Sequence, residues 1–432
     1  MVNLIKTQFT KPNNVFKIFD FLNQSVPILM GIFIFFNPFP HTTAFKEISF
    51  YLSVVIVVVL FVSKRTEFSL KTPLLIPFGL FVFWSFLSIF WALNVENTIH
   101  DFYSHLIRYI IIYFIIVNFF NSKKRLVCLS WVIIISSTAF SVGGLIYYYL
   151  ILNYSLSARF AVGFTHISTN IVGFITVFAI ILTLHNIFTD KHLYRRAFLI
   201  ICLFPLSAAT LLTQARSSFI ALFIAGGIML IKNKKSIFIF TLMFLIILVA
   251  TPLRKRFSVK KILYNERIPN YFIMFEVIKS YPIMGIGFGN ETYGTDIDLK
   301  DYQKKIPPSI KSIPHPLLVD PHSMLFSIIV RLGLVGLVLF LYVLFVFGKM
   351  CVKSIKEGKD YFIKSWGRCI VSAFVGLFII GIFEPSFSHL QDTVFFTILS
   401  MTTILWRLNQ ESTCYPEASH CLDSEIDNQN IL

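Results

Sequence analysis

The chain alternates long apolar runs with short polar turns that carry most of its charges. A bilayer core of about 30 Å needs about 20 helical residues, and helices satisfy their own backbone hydrogen bonds, so these runs predict membrane-spanning helices. A membrane β-barrel would alternate apolar and polar residues instead. Twelve helices are predicted, at about 26–36, 47–62, 73–92, 104–120, 126–150, 167–187, 197–212, 217–231, 236–252, 322–347, 367–383 and 392–406.

The distribution of basic residues predicts the orientation of these helices. With twelve helices, the N-terminus and every second turn hold 22 basic residues, whereas the short turns on the other side hold only Lys46, Arg159 and Arg216. Because cytoplasmic loops are enriched in Lys and Arg, both termini are predicted inside and residues 254–320 outside. An arginine at the outer edge of a membrane can simply extend its side chain to the interface, so position alone leaves the roles of Arg159 and Arg216 open.

Composition supports a membrane protein and argues against several other classes. Hydrophobic residues make up 56% of the chain and charged residues 14%, whereas a soluble domain has about 25% charged residues. The formal charge of +16 is spread over small clusters between apolar runs, so no nucleic-acid partner is predicted. Cysteines are absent from 254–320, and Cys414, His420 and Cys421 do not match a zinc-ligand spacing. We therefore expect neither a disulfide framework in that segment nor a metal.

The external segment 254–320 is too long to be only a connection, and it divides the chain. The predicted regions are helices one to nine in 1–253, a periplasmic loop with catalytic elements in 254–320, helices ten to twelve in 321–407 and a polar cytoplasmic tail in 408–432. Apolar residues recur at helical spacing from Ile268 to Ile278, which predicts an interfacial helix. Beyond Pro282, the sequence GIGFG predicts either a plain turn or backbone amides that approach an anion.

His322 begins the tenth predicted helix, where a histidine can act in chemistry or simply cap the helix. At 100° per residue, four residues would share its face in a continuous helix: Phe326, Ile329, Gly333 and Gly336. Small residues there permit either close helix packing or a groove for a lipid chain. Arg331 would point the opposite way at mid-membrane depth, and such a charge needs a partner or a water-filled cavity.

These residues together resemble the O-antigen ligase and polymerase superfamily. The sequence RIPNYFIMFEVIKSYPIMGIGFGN is similar to a family pattern of Arg, an aromatic residue four positions on, and Pro-x-x-Gly-x-Gly-x-Gly. His322-Ser323, nine residues and Gly333-x-x-Gly336 resemble the ligase signature, although Leu337 follows where the family usually has Gly, Thr or Tyr. Arg159 with Gly163 and Asn170 is similar to a looser family pattern.

The resemblance implies an all-α, polytopic transmembrane bundle like that of C-type membrane glycosyltransferases, in the bacterial inner membrane with its active site at the periplasmic face. The implied reaction moves an O-antigen glycan from undecaprenyl diphosphate to a hydroxyl of lipid A-core, without metal or cofactor. The implied catalytic residues are His322, Arg216 and Arg267. The implied substrate-binding residues are Arg159, Asn170, Gly287 and Ser323.

The chemistry of these residue types agrees with that reaction. Guanidinium groups bind phosphate oxygens in pairs, and they can stabilise a diphosphate leaving group where no metal does so. An imidazole with an ordinary pKa near 6.5 can accept a proton from a sugar hydroxyl or orient that hydroxyl. Both the donor and the acceptor are membrane lipids, which fits a site at the membrane surface.

Three alternatives remain open from the sequence. An O-antigen polymerase would use the same donor but extend a lipid-linked glycan, and a protein O-oligosaccharyltransferase would transfer the glycan to a protein. A lipid-glycan transporter would need ionisable residues along a path through several helices. Here the helix centres carry few charges, which favours an enzyme.

Overall fold

The structure, a computed structural model, describes residues 14–161, 169–231, 234–250, 267–313, 315–384 and 390–414. Within these ranges the chain forms helices and turns and no strand. The predicted all-helical fold class is therefore confirmed. Gly163, His420 and Cys421 lie outside the described residues.

Within the described ranges a helix lies at each of the twelve predicted positions, and shorter helices lie between the ninth and tenth of them. The first three are α1 (Asn14–Phe36), α2 (Thr43–Val62) and α3 (Leu75–Leu87, extended by a 3-10 turn at Ser88–Trp91). The fourth predicted position holds two helices, α4 (Val95–Asp101) and α5 (Arg108–Phe119), which a π turn at Phe102–Ile107 joins. The next five are α6 (Lys123–Leu145, then a π turn at Ile146–Ile151), α7 (Thr169–Thr189), α8 (Leu193–Leu212), α9 (Arg216–Leu230) and α10 (Lys234–Ala250). The remainder are α11 (Arg267–Ser280), α12 (Thr292–Thr295), α13 (Leu299–Gln303), α14 (Pro308–Lys311), α15 (Met324–Glu357), α16 (Tyr361–Gly381) and α17 (Leu390–Cys414).

Eight of the described helices are long and apolar enough to cross a membrane, and two further apolar helices are shorter. The chain is thus a polytopic helical membrane protein. Two helices continue well beyond their predicted ends. Helix α15 reaches Glu357 rather than 347, and α17 reaches Cys414 rather than 406. Apolar patterning marks the part of a helix inside the membrane, and good helix formers such as Lys and Glu carry the same helix onward into water.

Small residues bring α7, α9 and α16 close together. A Cβ on Gly173 of α7 would collide with the Ser218 hydroxyl of α9, and a Cβ on Gly376 of α16 would lie 3.1 Å from Ala225 of α9. The Ser372 hydroxyl of α16 also donates to the Ala225 carbonyl. Close approach through small residues is typical of membrane helix pairs. As a result, the starts of α7 and α9 and the end of α16 meet at one end of the bundle.

Helix α15 is broken at Gly333, whose backbone has φ 67° and ψ −169°. A non-helical residue inside a membrane helix leaves carbonyl and amide groups without their usual partners, and these must be satisfied elsewhere. The break also means that residues beyond Gly333 do not continue the face of His322. The predicted common face therefore fails for Gly336, and the helix itself begins only at Met324.

The segment between α10 and α15 has a small apolar core of its own. Ile273, Met274 and Val277 of α11 are buried together with Ile286 and Tyr293 from the following turns. Phe272 and Phe275, on another face of α11, are exposed, which fits a helix that lies on an apolar surface. This packing holds α11 as a fixed element beside α15.

Candidate functional site

A chain of polar contacts joins the three helix ends that meet at one end of the bundle. The Ser217 hydroxyl of α9 donates to the Asn170 side-chain oxygen of α7 at 3.3 Å. The Asn170 amide in turn donates to a Glu384 carboxylate oxygen at 2.5 Å, just after α16. All three side chains are buried, and the most exposed of them, Asn170, is 9% exposed. A hydrogen-bonded network of this kind fixes the side chains that surround it.

Arg267, the first residue of α11, reaches the same cluster. One guanidinium nitrogen donates to the Phe383 carbonyl at 3.1 Å, and the guanidinium also hydrogen-bonds the Tyr271 side chain one turn further along α11. It lies close enough to Glu384 and His322 to influence the ionisation of both. The structure therefore brings Arg267, Asn170 and His322 together, as the sequence prediction requires.

His322 lies just before α15 in a left-handed backbone conformation with φ 42°. Its backbone amide donates to the Asp320 side chain at 2.9 Å, which holds the turn. Burial lowers the pKa of His322, the Asp320 carboxylate raises it and the Arg267 charge lowers it, so the net shift is downward. Nδ1 is buried with no hydrogen-bond partner among the described residues. The imidazole is thus neutral at neutral pH, and its Nδ1 keeps an unused hydrogen-bonding position within the described part of the chain.

Glu384 belongs to this site, and the sequence analysis missed it. Burial raises the pKa of its carboxyl to about 7, against the opposing effects of the Asn170 hydrogen bond and the Arg267 charge, while Asp320 raises it further. The only sequence signal was an acidic residue before a proline in the external turn between two apolar helices. That signal is weak because an acidic residue in a turn is usually solvated. Its significance comes from burial beside Arg267, which only the fold reveals.

Arg159 and Arg216 lie at the edge of the same cluster. The Arg159 guanidinium donates to the Thr213 carbonyl at 3.2 Å and to the Thr169 hydroxyl at 2.8 Å. Thr169 precedes Asn170, and Thr213 lies in the turn that leads to Arg216 at the start of α9. Arg159 thus ties together the two helix ends that carry Asn170 and Arg216, and the half-buried Arg216 directly precedes Ser217 of the polar chain.

Ser323 stands between His322 and the first residue of α15. It is buried, and its hydroxyl does not cap the helix. The Ser323 carbonyl accepts the Ser327 amide at 2.8 Å, which starts the helix directly after His322. Ser323 therefore lies at the site through its backbone, and substrate binding by its hydroxyl remains a prediction.

The glycine-rich turn after α11 pairs with the broken part of α15. The amides of Ile286 and Gly287 donate to the Val330 and Arg331 carbonyls, both at 3.0 Å, and the Leu334 amide donates to the Pro282 carbonyl at 2.9 Å. These contacts satisfy backbone groups that the break at Gly333 frees. A Cβ on Gly285 or Gly333 would collide with the backbone of the opposite segment, so glycine is needed for this approach.

This pairing changes two expectations from the sequence. The amides of Phe288 and Gly289 donate to the hydroxyls of Ser88 and Thr98, so the turn has protein acceptors rather than amides waiting for an anion. Gly287 consequently has a structural role, and its assignment to substrate binding remains only a prediction. The face of Gly333 is covered by the turn itself, which decides between close packing and a lipid groove in favour of packing.

No trio of potential metal ligands occurs within the described ranges: no group of three or more His, Cys, Asp or Glu side chains is arranged to hold an ion. The available chemistry is that of guanidinium groups, one neutral imidazole and one carboxyl that titrates near neutrality. Such a set can bind a phosphorylated ligand and move one proton.

Comparison with known proteins supports the resemblance seen in the sequence. A search of curated proteins gives no match. Residues 198–341, however, match the family model described as O-antigen ligase. The matched region contains Arg216, Arg267 and His322, whereas Asn170 and Glu384 lie outside it. The chain is thus a multi-pass membrane protein in which one third of the sequence, residues 198–341, is similar to the O-antigen ligase family.

Proposed function

We propose that this protein is an O-antigen ligase, which transfers glycan from undecaprenyl diphosphate to a hydroxyl of lipid A-core at the periplasmic face of the inner membrane. The match of residues 198–341 to the O-antigen ligase family indicates a membrane glycosyltransferase of the ligase or polymerase type. The proposal adds the donor, the acceptor and the roles of individual residues. The observation that supports it most is the buried Nδ1 of His322 near Arg267, which has no hydrogen-bond partner among the residues that the structure describes.

The donor's diphosphate would lie between Arg267 and Arg216. Both arginines stand at the first residue of a helix, Arg267 on α11 and Arg216 on α9. The positive end of a helix dipole favours an anion at that place, and a guanidinium provides paired donors for phosphate oxygens. Stabilising the negative charge that develops on the diphosphate as it leaves lowers the barrier to transfer.

His322 would act on the acceptor. The acceptor oxygen attacks the anomeric carbon of the donor sugar, the bond between that carbon and the diphosphate breaks, and undecaprenyl diphosphate leaves with the bonding electrons. The proton of the acceptor hydroxyl passes to the neutral imidazole. Because the pKa of His322 is lowered, the imidazole is in its basic form at neutral pH but holds a proton only weakly, and the proton can pass on to water.

Glu384 and Asn170 would position the leaving-group side of the site. A carboxyl whose pKa is near 7 can take up a proton and become neutral when a diphosphate binds, which avoids repulsion between two anions. The contacts between Ser217, Asn170 and Glu384 hold this carboxyl at a fixed distance from Arg267. Arg159 supports the same framework through Thr169 and Thr213.

Purified full-length protein given two substrate sets would test the proposal. One set contains undecaprenyl-diphosphate-linked glycan with lipid A-core, and the other contains the lipid-linked glycan alone, both with a chelator present. We expect glycan on lipid A-core and no lengthening of the lipid-linked glycan. Longer lipid-linked glycan with unmodified lipid A-core would show a polymerase, and transfer that needs added metal would contradict the arginine-based mechanism.

A further inference from the structure

We propose that a pocket at the opposite end of the bundle from His322 binds the headgroup of an anionic phospholipid. The pocket has a volume of about 1080 Å³ and is formed by α6, α8 and α16. Its lining includes three basic and three aromatic side chains: Lys123, Lys124, Arg195, Trp131, Tyr194 and Phe198. It shares no residue with the transfer site, so the proposal is independent of the function proposed above.

The connectivity of the helices places this pocket far from the transfer site. It surrounds the start of α6 at Lys123, the start of α8 at Leu193 and the start of α16 at Tyr361. The transfer site instead lies at the opposite ends of α8 and α16, next to Arg216 and Glu384. A 20-residue helix is about 30 Å long, so a ligand in the pocket cannot reach the transfer site. The basic turns predict that this end of the bundle faces the cytoplasm.

The lining residues are arranged by depth like the parts of a lipid. Along α6, Lys123, Val127 and Trp131 follow at intervals of four residues and share one face. The stacked pair of Trp131 and Phe198, with ring centroids 6.0 Å apart, therefore lies two turns deeper than the lysines. Cations at the mouth and aromatic rings below them suit a charged headgroup above an acyl chain, and such aromatic side chains favour the membrane interface.

The charges at the mouth leave capacity for an anion. Lys123 pairs with Asp360 at 2.6 Å, but Arg195 is 3.9 Å from Asp190, too far for a direct hydrogen bond. The Arg195 Nε donates to the Tyr194 hydroxyl at 3.2 Å, which engages one of its three guanidinium nitrogens. Lys124 has no charged partner within the part of the chain that the structure describes. The starts of α6 and α8 add the positive ends of two helix dipoles. A headgroup with a net negative charge, such as that of phosphatidylglycerol, fits this arrangement better than a zwitterionic headgroup, whose ammonium balances its phosphodiester.

The size and exposure of the pocket favour a lipid over a free phosphate ion. Tyr194 is 66% exposed and Phe198 45% exposed, so aromatic surface of the pocket is open to contact with a lipid. An inorganic phosphate would occupy only a small part of this volume and would not cover the aromatic side chains below the lysines. Basic pockets between membrane helices on the cytoplasmic side are suited to anionic lipid headgroups.

Cys128 provides a direct test because it lines the pocket and is the exposed free cysteine among the described residues. The full chain with Cys414→Ser and Cys421→Ser is placed in nanodiscs of phosphatidylcholine or of phosphatidylglycerol, and the rate of Cys128 alkylation by a maleimide is measured. We expect slower alkylation in phosphatidylglycerol. The double variant Lys124→Gln/Arg195→Gln should lose this difference, because each charge removed weakens binding about fivefold.

Lys356→Gln is the matched control, since Lys356 is an exposed lysine at the same end of the bundle outside the pocket. It should keep the full difference between the two lipids. Equal alkylation rates in both lipids would overturn the proposal, as would a difference that survives in the double variant. Protection by inorganic phosphate in phosphatidylcholine nanodiscs, equal to that by phosphatidylglycerol, would show an anion site and not a lipid site.

Discussion

The Arg331 guanidinium donates to the Phe288 backbone carbonyl, with Nε 2.6 Å from the oxygen, and lies over the Phe288 ring. Arg331 is 2% exposed, and the carboxylates of Asp101 and Asp392 lie near enough to interact with its charge. A buried arginine inside a membrane bundle is costly unless it is paired. Here the pairing holds the glycine-rich turn against the break in α15, the helix that begins just after His322 and Ser323.

Gly333→Ala should disrupt the contact between the glycine-rich turn and the break in α15. The residue has φ 67°, and a Cβ there would collide with the Ile283 backbone carbonyl. We expect a loss of more than about 2 kcal/mol of stability, because backbone strain and a backbone collision add. Thermal unfolding of the detergent-purified protein measures it. Gly348→Ala on the same helix is the control, since no atom of the described residues lies within 4 Å of its added Cβ. Equal melting temperatures for the two variants would contradict a stabilising contact between the glycine-rich turn and the break in α15.

The sequence predicted the positions of the helices but not the contact between the glycine-rich turn and the break in α15, and the reason is physical. Apolar runs report directly on the membrane, so a helix lies at each predicted position, with boundary errors such as the earlier start of α1 and the later ends of α15 and α17. The need of Arg331 for a partner was also clear from its apolar surroundings. Its actual partner is a backbone carbonyl 43 residues away, and no side-chain pattern identifies a carbonyl that a helix break brings into place.

The site shows the same division. Arg267 and His322 stood out through their pattern, and the structure places them together, whereas Glu384 was missed because its altered pKa comes from burial. Asn170 was included only through a loose resemblance, and its contact with Glu384 gives it a physical role. Residue type therefore identified charged groups that the fold brings to one place, but it did not identify a group whose chemistry depends on its neighbours.

Glu384→Gln should make stability less dependent on pH. A carboxyl whose pKa is raised to about 7 in the folded protein, from an ordinary value near 4.5, favours the folded state when protonated, so that stability is lost as pH rises from about 4.5 to 7. The variant keeps a neutral side chain. We expect its melting temperature to match wild type at pH 5 and to exceed it at pH 8. The exposed Glu291→Gln is the control, and a constant difference across this range would contradict the prediction.

Lysine should replace neither Arg216 nor Arg267. Arg267 uses its planar guanidinium for the Phe383 carbonyl and the Tyr271 side chain, and a lysine offers a single charged point without paired donors. Loss of one paired contact with the diphosphate costs about 2–4 kcal/mol, or roughly 30- to 1000-fold in rate. The measurement is the initial rate of glycan transfer by each purified variant. Arg196→Lys, at the far end of α8, should transfer at the wild-type rate; wild-type rates in all three variants would exclude the diphosphate role.

Residues 254–320 should face the outside of the membrane, on the strength of the basic-residue distribution. Ser309 is exposed on the short helix Pro308–Lys311, so Ser309→Cys adds an accessible thiol with little effect on packing. In intact spheroplasts this cysteine should react with a membrane-impermeant thiol reagent, whereas the native Cys414 should react only after lysis. The reverse labelling pattern would invert the topology and move the site to the cytoplasmic face.

His322 should be essential for transfer, and its backbone must be considered when it is replaced. With φ 42°, alanine at this position would combine loss of the imidazole with backbone strain, whereas asparagine tolerates the left-handed conformation. We expect both His322→Ala and His322→Asn to abolish transfer, with His322→Asn retaining the wild-type melting temperature. Full transfer by a well-folded His322→Asn would defeat the catalytic assignment.

The pH dependence of transfer then separates a base from a hydrogen-bond donor. A base must be neutral, so the rate should fall as pH drops through the pKa of His322, which burial lowers below its usual value near 6.5. The acidic fall in transfer should therefore be centred below pH 6.5. If His322 only orients the acceptor, the imidazolium would still donate, the acidic fall would be absent, and His322→Gln would keep part of the activity. Measuring the profile in the Glu384→Gln background removes the carboxyl that titrates near pH 7, so any remaining acidic fall in rate belongs to the imidazole.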